Sequence, residues 1–249
     1  MRALRRTIGG LTGLALLVAL SLVLWVNLRA RPQDLPWTPL DLGQPIGAFT
    51  GSKLTALTRD FPACRALLDK AGVSYAVLPP RRDGDRCSYA DGVRLVEDPR
   101  TADGNVRRIA FIPAGLRLSC PVAAALAMWE WNVVQPAAQR HFGAQVARID
   151  HLGSYSCRRI AGSGSTAWSE HATADAVDIA GFRLSNGTRI TIARDWRGDT
   201  AKAAFLHDVR DGACTLFATT LSPDYNAAHA DHLHLDQAER GSIGWRACR

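Results

Sequence analysis

"HADHLHLD", residues 229–236, places three of the chain's seven histidines and two aspartates in eight consecutive positions. As a strand, its last five residues alternate strictly, with His232, His234 and Asp236 on one face and Leu233 and Leu235 on the other. The leucines belong in a core, so the imidazoles line a groove or face solvent. Alone, an H-x-H is weak evidence for a metal, because a polar strand face with hydrogen-bonded imidazoles accounts for it equally well.

A second stretch changes that balance. In "SEHATADAVDIAGF", residues 169–182, Asp178 sits between Val177 and Ile179 inside an apolar run, where a free carboxylate is costly. It needs a cation, strong donors or a metal. His171 lies just before this strand, where a turn can fold it back over Asp178. Two nitrogens, one carboxylate oxygen and a water make a tetrahedral catalytic zinc site. His171, Asp178 and His234 supply that set, with one Zn2+ per chain as the expected cofactor.

Charge and export signals narrow the class. The formal charge is +7, but residues 1–31 hold five arginines and no acid, which leaves 25 basic against 23 acidic residues beyond them. A nearly neutral body argues against a nucleic-acid partner. Thr7–Leu28 runs without a charge, long enough to span a bilayer as a helix. Arginines on the N-terminal side favour a cytoplasmic N-terminus. Residues 1–28 are therefore expected to form a transmembrane signal-anchor, with a cleavable signal peptide as the alternative. Localisation follows: a single-pass protein of the cytoplasmic (inner) membrane, its C-terminal domain in the periplasm or outside the cell. Residues 29–50, with four prolines, read as a stiff extended linker, and 51–249 as the folded domain.

All six cysteines (Cys64, Cys87, Cys120, Cys157, Cys214 and Cys248) lie beyond the apolar segment, and none forms a C-x-x-C pair. Three disulfides suit an exported domain, and six cysteines allow about 15 connectivities. Sequential pairing (64–87, 120–157, 214–248) is the simplest expectation.

Helical spacing marks "LTALTRDFPACRALLDKAG", which Gly72 stops, and Pro121 opens a long helix kinked or divided by Pro136. Strands are expected at 73–78, 107–118, around "AQVARIDHL", "AVDIAGFRL", "TRITIA", "CTLFATTL" and "HLHLD", with a Gly/Ser loop at 161–166 and a helix over 200–209. Helices early and strands late predict an α+β fold with an antiparallel or mixed sheet and helices packed on it.

The pattern Ser169-x-His171, then Asp178, then Asp231 three residues before His234, resembles the LAS metallopeptidases. These comprise D-Ala-D-Ala carboxypeptidases, the penicillin-insensitive murein endopeptidase and the hedgehog-type domain. At domain level, "SEHATADAVDIAGF", "ARDW", "GACTLF" and "LSPDYNAAHADHLHLD" resemble the bacterial extensin-like C-terminal domain family over roughly residues 50–249. The resemblance implies a LAS-like zinc peptidase fold acting on peptidoglycan peptide. It implies His171, Asp178 and His234 as ligands, Asp231 as general base, and His232 and Arg158 as charge stabilisers, with Arg159 as the bland alternative to Arg158. Trp168 is the candidate for touching substrate, and His229 a partner or rim residue. Two departures stand out. Ala174 replaces the family's usual Gly between the first two ligands, and Asp231 is one methylene shorter than the usual Glu. A zinc-holding wall-binding module without hydrolysis, or a structural envelope protein, is the rival expectation. Glu170, Asp175, His151 and His207 are expected at the solvated surface, His141 at a helix end, and Asp236 in a structural hydrogen bond.

Overall fold

The two stretches carrying the expected ligands are neighbouring strands of one sheet, and most of the architecture serves to hold them together. The computed structural model describes residues 2–84, 86–96, 110–160, 166–240 and 245–249. From the N-terminus, α1 (Arg2–Ala30) precedes a 3-10 turn (Pro32–Asp34), α2 (Thr50–Ala56), a second such turn (Leu57–Arg59) and α3 (Phe61–Lys70). Short strands β1 (Tyr75–Val77), β2 (Arg81–Arg82), β3 (Ser88–Tyr89), β4 (Gly92–Leu95), β5 (Ala110–Ile112) and β6 (Arg117–Ser119) lead into α4 (Cys120–Trp129). A π-helical stretch (Glu130–Val134) joins α4 to α5 (Gln135–Phe142). Then come β7 (Val146–Gly153), a 3-10 strap (Glu170–Thr173), β8 (Ala176–Leu184), β9 (Arg189–Thr191), α6 (Ile192–Asp195) and α7 (Ala201–Leu216). After them follow β10 (Thr219–Leu221), a 3-10 turn (Ala227–His229), β11 (Leu233–Asp236) and β12 (Ala247–Cys248).

Seven strands form a mixed sheet in the order β12-β10-β11-β8-β7-β5, with β9 also paired to β8. β5 with β7 and β10 with β12 run parallel, and the other pairs antiparallel. A three-stranded sheet (β1-β4-β6) and the β2–β3 pair stand apart. This is an α+β fold with a mixed sheet, as expected.

α4 is apolar on every side and accordingly buried, packed against α2, α3 and α7. The Trp129 indole donates to the Val209 carbonyl at 2.8 Å, and its ring lies 5.9 Å from Phe182 on β8. Phe205 of α7 meets Phe182 edge-on at 5.1 Å. The helices thus cover one face of the sheet.

β8 reaches that face by a bulge. Asp150 pairs with Gly181 but His151 with Ile179, so Ala180 is extra and the alternation shifts by one. Val177 and Ile179 before the bulge, and Phe182 and Leu184 after it, all enter the core. Asp178 is left on the opposite face.

Several expectations require correction. Cys64 bonds Cys120 and Cys87 bonds Cys157, while only the 214–248 pair is as expected. Cys64 on α3 faces the start of α4 because the two helices pack together, a contact invisible to sequence order. Residues 32–49 are not an extended spacer. Leu42 is 1% exposed and Gln33 2%, Leu40 and Ile46 pack on the core, and Asp41 pairs with Lys70 at 2.9 Å. The apolar residues between the prolines reach the core and draw the segment onto the domain. The strand expected over 214–221 shrinks to β10, because α7 continues to Leu216. Leu206, Val209, Ala213 and Leu216 keep helical spacing and are all buried. The long helix is divided near Pro136, as expected: α4 gives way to the π-helical stretch and Pro136 stands in the first turn of α5. The π-helical stretch just before it accommodates the missing N–H and the ring. Of the strand expected at 107–118, residues 110–112 and 117–119 are strand and 107–109 lie outside the described residues, as does most of the Gly/Ser loop, 161–165.

α1 contains one segment, Gly10–Ala30, long and apolar enough to cross a membrane.

Candidate metal centre

β11 lies beside β8 in antiparallel register, with His234 opposite Asp178. The strap before β8 adds His171. Ser169 opens the strap, its Oγ accepting from the His171 backbone N–H at 3.3 Å. Ala174 closes it in the left-handed region, at φ 60°, the strained conformation that the absent glycine would have relieved.

Three donor atoms converge. His171 Nε2 lies 3.2 Å from Asp178 Oδ1 and 3.2 Å from His234 Nδ1, and His234 Nδ1 lies 3.0 Å from Asp178 Oδ1. Corners of a tetrahedron drawn about 2.0–2.1 Å from a zinc ion are about 3.3 Å apart. The residues therefore fit the metal in kind and in spacing. All three are buried, while His232 and His229 beside them are half-buried, so the centre lies on the floor of the histidine-bearing face.

The outer hydrogen bonds orient the rings. His171 Nδ1 donates to the Ser154 carbonyl at 2.5 Å, and His234 Nε2 donates to Asp236 Oδ2 at 3.1 Å. With those protons placed outward, each neutral ring turns a lone pair toward Asp178. Three acceptors then face one another and require a cation between them. Protons can serve: burial would raise the Asp178 carboxyl, but the bonds from His171 and His234 outweigh it and hold Asp178 far below the usual carboxylate range. Burial likewise opposes the charged form of His234, yet Asp178 and Asp236 push it up to about 9. A divalent ion satisfies the same three acceptors at once.

Around this centre, His232 Nε2 stands 3.6 Å from Asp178 Oδ1, and Arg158 reaches Asp178 Oδ2 at 3.9 Å from a half-exposed position. Arg159 points elsewhere: its guanidinium covers Trp168 and donates to the Thr166 carbonyl. Trp168 is thereby held beside the Arg158 loop. The Asp231 carboxylate is 63% exposed and bonds His232 Nδ1 at 2.7 Å, so it faces solvent rather than the three ligands. His229 lies with its ring 5.2 Å from that of His232 and 5.9 Å from that of His234. Burial, then the positive charges of His232 and His234, lower it to about 4.

Some surroundings differ from expectation. Glu170 and Asp175 are half-buried at the edge of a cleft rather than fully solvated. Burial pushes both carboxyls up, Asp175 strongly, against a hydrogen bond from Ser119 at 2.6 Å. His207 is partly buried, stacked on Trp196, and His151 is tied to the Pro113 carbonyl at 2.8 Å. His141 does end its helix, paired with Asp208 at 2.8 Å. Asp236 is the contributor that the sequence reading undervalued. Its signal was its place on the His234 face, two residues on. Ser154 acts through its backbone and left no signal.

No curated protein and no solved structure matches the chain. The family described as extensin-like protein C-terminus matches residues 62–249, a span that holds all six cysteines, the three converging ligands and the groups around them. By that match, over well beyond half its length, the chain belongs to the extensin-like protein C-terminus family.

Proposed function

We propose that this protein is a membrane-anchored, extracytoplasmic zinc hydrolase of LAS-metallopeptidase type, cutting peptide bonds in peptidoglycan stems or cross-links. One observation carries the reading: two buried histidines, with tautomers set by Ser154 and Asp236, turn lone pairs onto a buried carboxylate at zinc-like spacing. The apolar segment of α1 and the three disulfides support an exported domain held at a membrane.

His171, Asp178 and His234 would hold the metal, which when bound supplies Lewis acidity and makes water ionisable near neutral pH. Arg158 flanks Asp178 and offers positive charge where the scissile carbonyl oxygen becomes negative, a contribution of about 3 kcal/mol for such a donor, and His232 adds to it once it has taken up the water's proton. Asp231 works with His232. Its carboxylate anchors Nδ1, leaving Nε2 toward the centre, and the pair takes the proton of the attacking water and returns it to the leaving amine as the C–N bond breaks. Trp168 and the Arg158 loop, tied by the Cys87–Cys157 bond, form a wall for the peptide.

The test is Asp231→Ala in zinc-loaded protein assayed on muropeptides. Zinc content and melting temperature should be unchanged and hydrolysis reduced at least a hundredfold, whereas hydrolysis at the parental rate overturns the role. The outward-facing Asp231 and the strained Ala174 favour a second reading, a zinc-holding module that binds wall peptide without cutting it. Saturable muropeptide binding by the zinc-loaded parent with no turnover would establish that reading instead.

A further inference from the structure

Beyond Asp236 from His234 lies a cavity of about 250 Å³, bordered by α2, by Ala218 just before β10, and by Trp245 and Arg246. Its base is Arg246. Burial depresses the guanidinium of this residue, and no carboxylate offsets that effect. Arg246 is half-buried, and arginines withdrawn from water usually meet an acid. Here one N–H donates to the Phe217 carbonyl at 2.5 Å, and no other hydrogen bond or ion pair engages the side chain among the described residues. Most of its five donors are left over. The position is built: Gly51 in α2 leaves room for the guanidinium, and a Cβ there would collide with it.

A second guanidinium borders the same cavity. Arg240 donates to Thr219 Oγ1, stands 4.0 Å from Asp236 Oδ2 and lies 5.9 Å from the ring centre of the exposed Trp245. The one acid on the rim, Glu239, is already taken, since it accepts from Arg59 at 2.5 and 2.9 Å and from Thr58 at 2.7 Å. With Glu239 engaged, and Asp236 4.0 Å from Arg240 but already bonded to His234, most donors of the two planar forks stay open to the cavity, the geometry that receives carboxylate or phosphate oxygens. We propose that this cavity is an oxyanion-binding site, distinct from the metal centre, in which Arg246 and Arg240 together grip one small anionic group. The volume suits a head group of a few heavy atoms, such as a terminal carboxylate or a phosphate monoester, and Asp236 stands between it and His234.

The experiment is calorimetric titration of the full chain in uncharged detergent, stripped of metal and held at constant ionic strength, with inorganic phosphate and separately with acetate. Saturable binding of at least one anion is expected, weakened tenfold or more by Arg246→Gln and by Arg240→Gln and unaltered by Arg158→Gln. Phosphate alone binding assigns a phosphate-bearing ligand, and acetate alone assigns a carboxylate. A parent protein that binds neither anion overturns the proposal, as does binding that survives the Arg240 change. Should Arg246→Gln lower the melting temperature enough to unfold the chain, Arg240→Gln carries the test, because its side chain is more exposed and makes one outer hydrogen bond.

Discussion

Asp175 and Asp178 stand three residues apart where the strap enters β8, and the protein treats them in opposite ways. Both are withdrawn from water. Asp178 meets two imidazoles and an arginine and ionises far more readily than a free carboxyl. Asp175 meets a serine hydroxyl and, nearby, the carboxyls of Asp91 and Glu170, and its proton is held far more tightly than usual. Burial acts the same way on both, so the neighbours decide. One side of the strap is arranged for a cation, and the other resists ionisation.

Removing the cation side should produce the largest effect. His171→Ala combined with His234→Ala should abolish stoichiometric zinc in metal analysis of the oxidised protein and lower affinity at least a thousandfold. Retention of one zinc per chain would place the metal elsewhere. Asp236→Asn should cost about 10–100-fold in zinc affinity, since it weakens the bond that fixes the His234 ring. An unchanged affinity from competition with a chromophoric chelator would show that strand geometry alone orients the ring.

The acidic side should respond in stability rather than in metal. A carboxyl whose pKa is raised by folding stabilises the fold fully below its unfolded value of 3.8, and that contribution is lost as pH rises through the folded value. Asp175→Asn, which keeps the Ser119 contact, should therefore raise the melting temperature at pH 7 by about 2–4 °C, roughly 1 kcal/mol in a protein of this size. The gain should vanish near pH 3. A gain independent of pH would mean that packing, not charge, is at work. The smallest effect is expected at the turn between the two aspartates. Ala174→Gly removes a left-handed strain but frees the unfolded chain, for a net stabilisation of about 0.5 kcal/mol by denaturant melting. A loss exceeding 1 kcal/mol would show that the buried methyl matters more than the strain.

The ligand set was legible because its chemistry is local. An aspartate in an apolar run and a histidine alternating with leucines each declare an unusual environment, whereas the left-handed turn at Ala174 was hinted at only by the family resemblance, whose usual residue there is Gly. The apolar segment of α1 and the helical spacing in α3 were readable for the same reason: hydrophobic patterning is a property of consecutive residues. The tertiary structure decided what depends on distant surfaces meeting. It set which cysteines bond, because α3 and α4 happen to pack. It drew residues 32–49 onto the core through Leu42, and it set Glu170 and Asp175 half-buried at the edge of a cleft. It alone supplied the bulge at Ala180, which lets Asp178 face His234 while Ile179 and Phe182 both enter the core, and the cavity in which Arg246 has no acid to answer it. The division follows from range: composition and spacing report what one segment prefers, while charge pairing, burial and disulfide choice are settled by which segments share a surface.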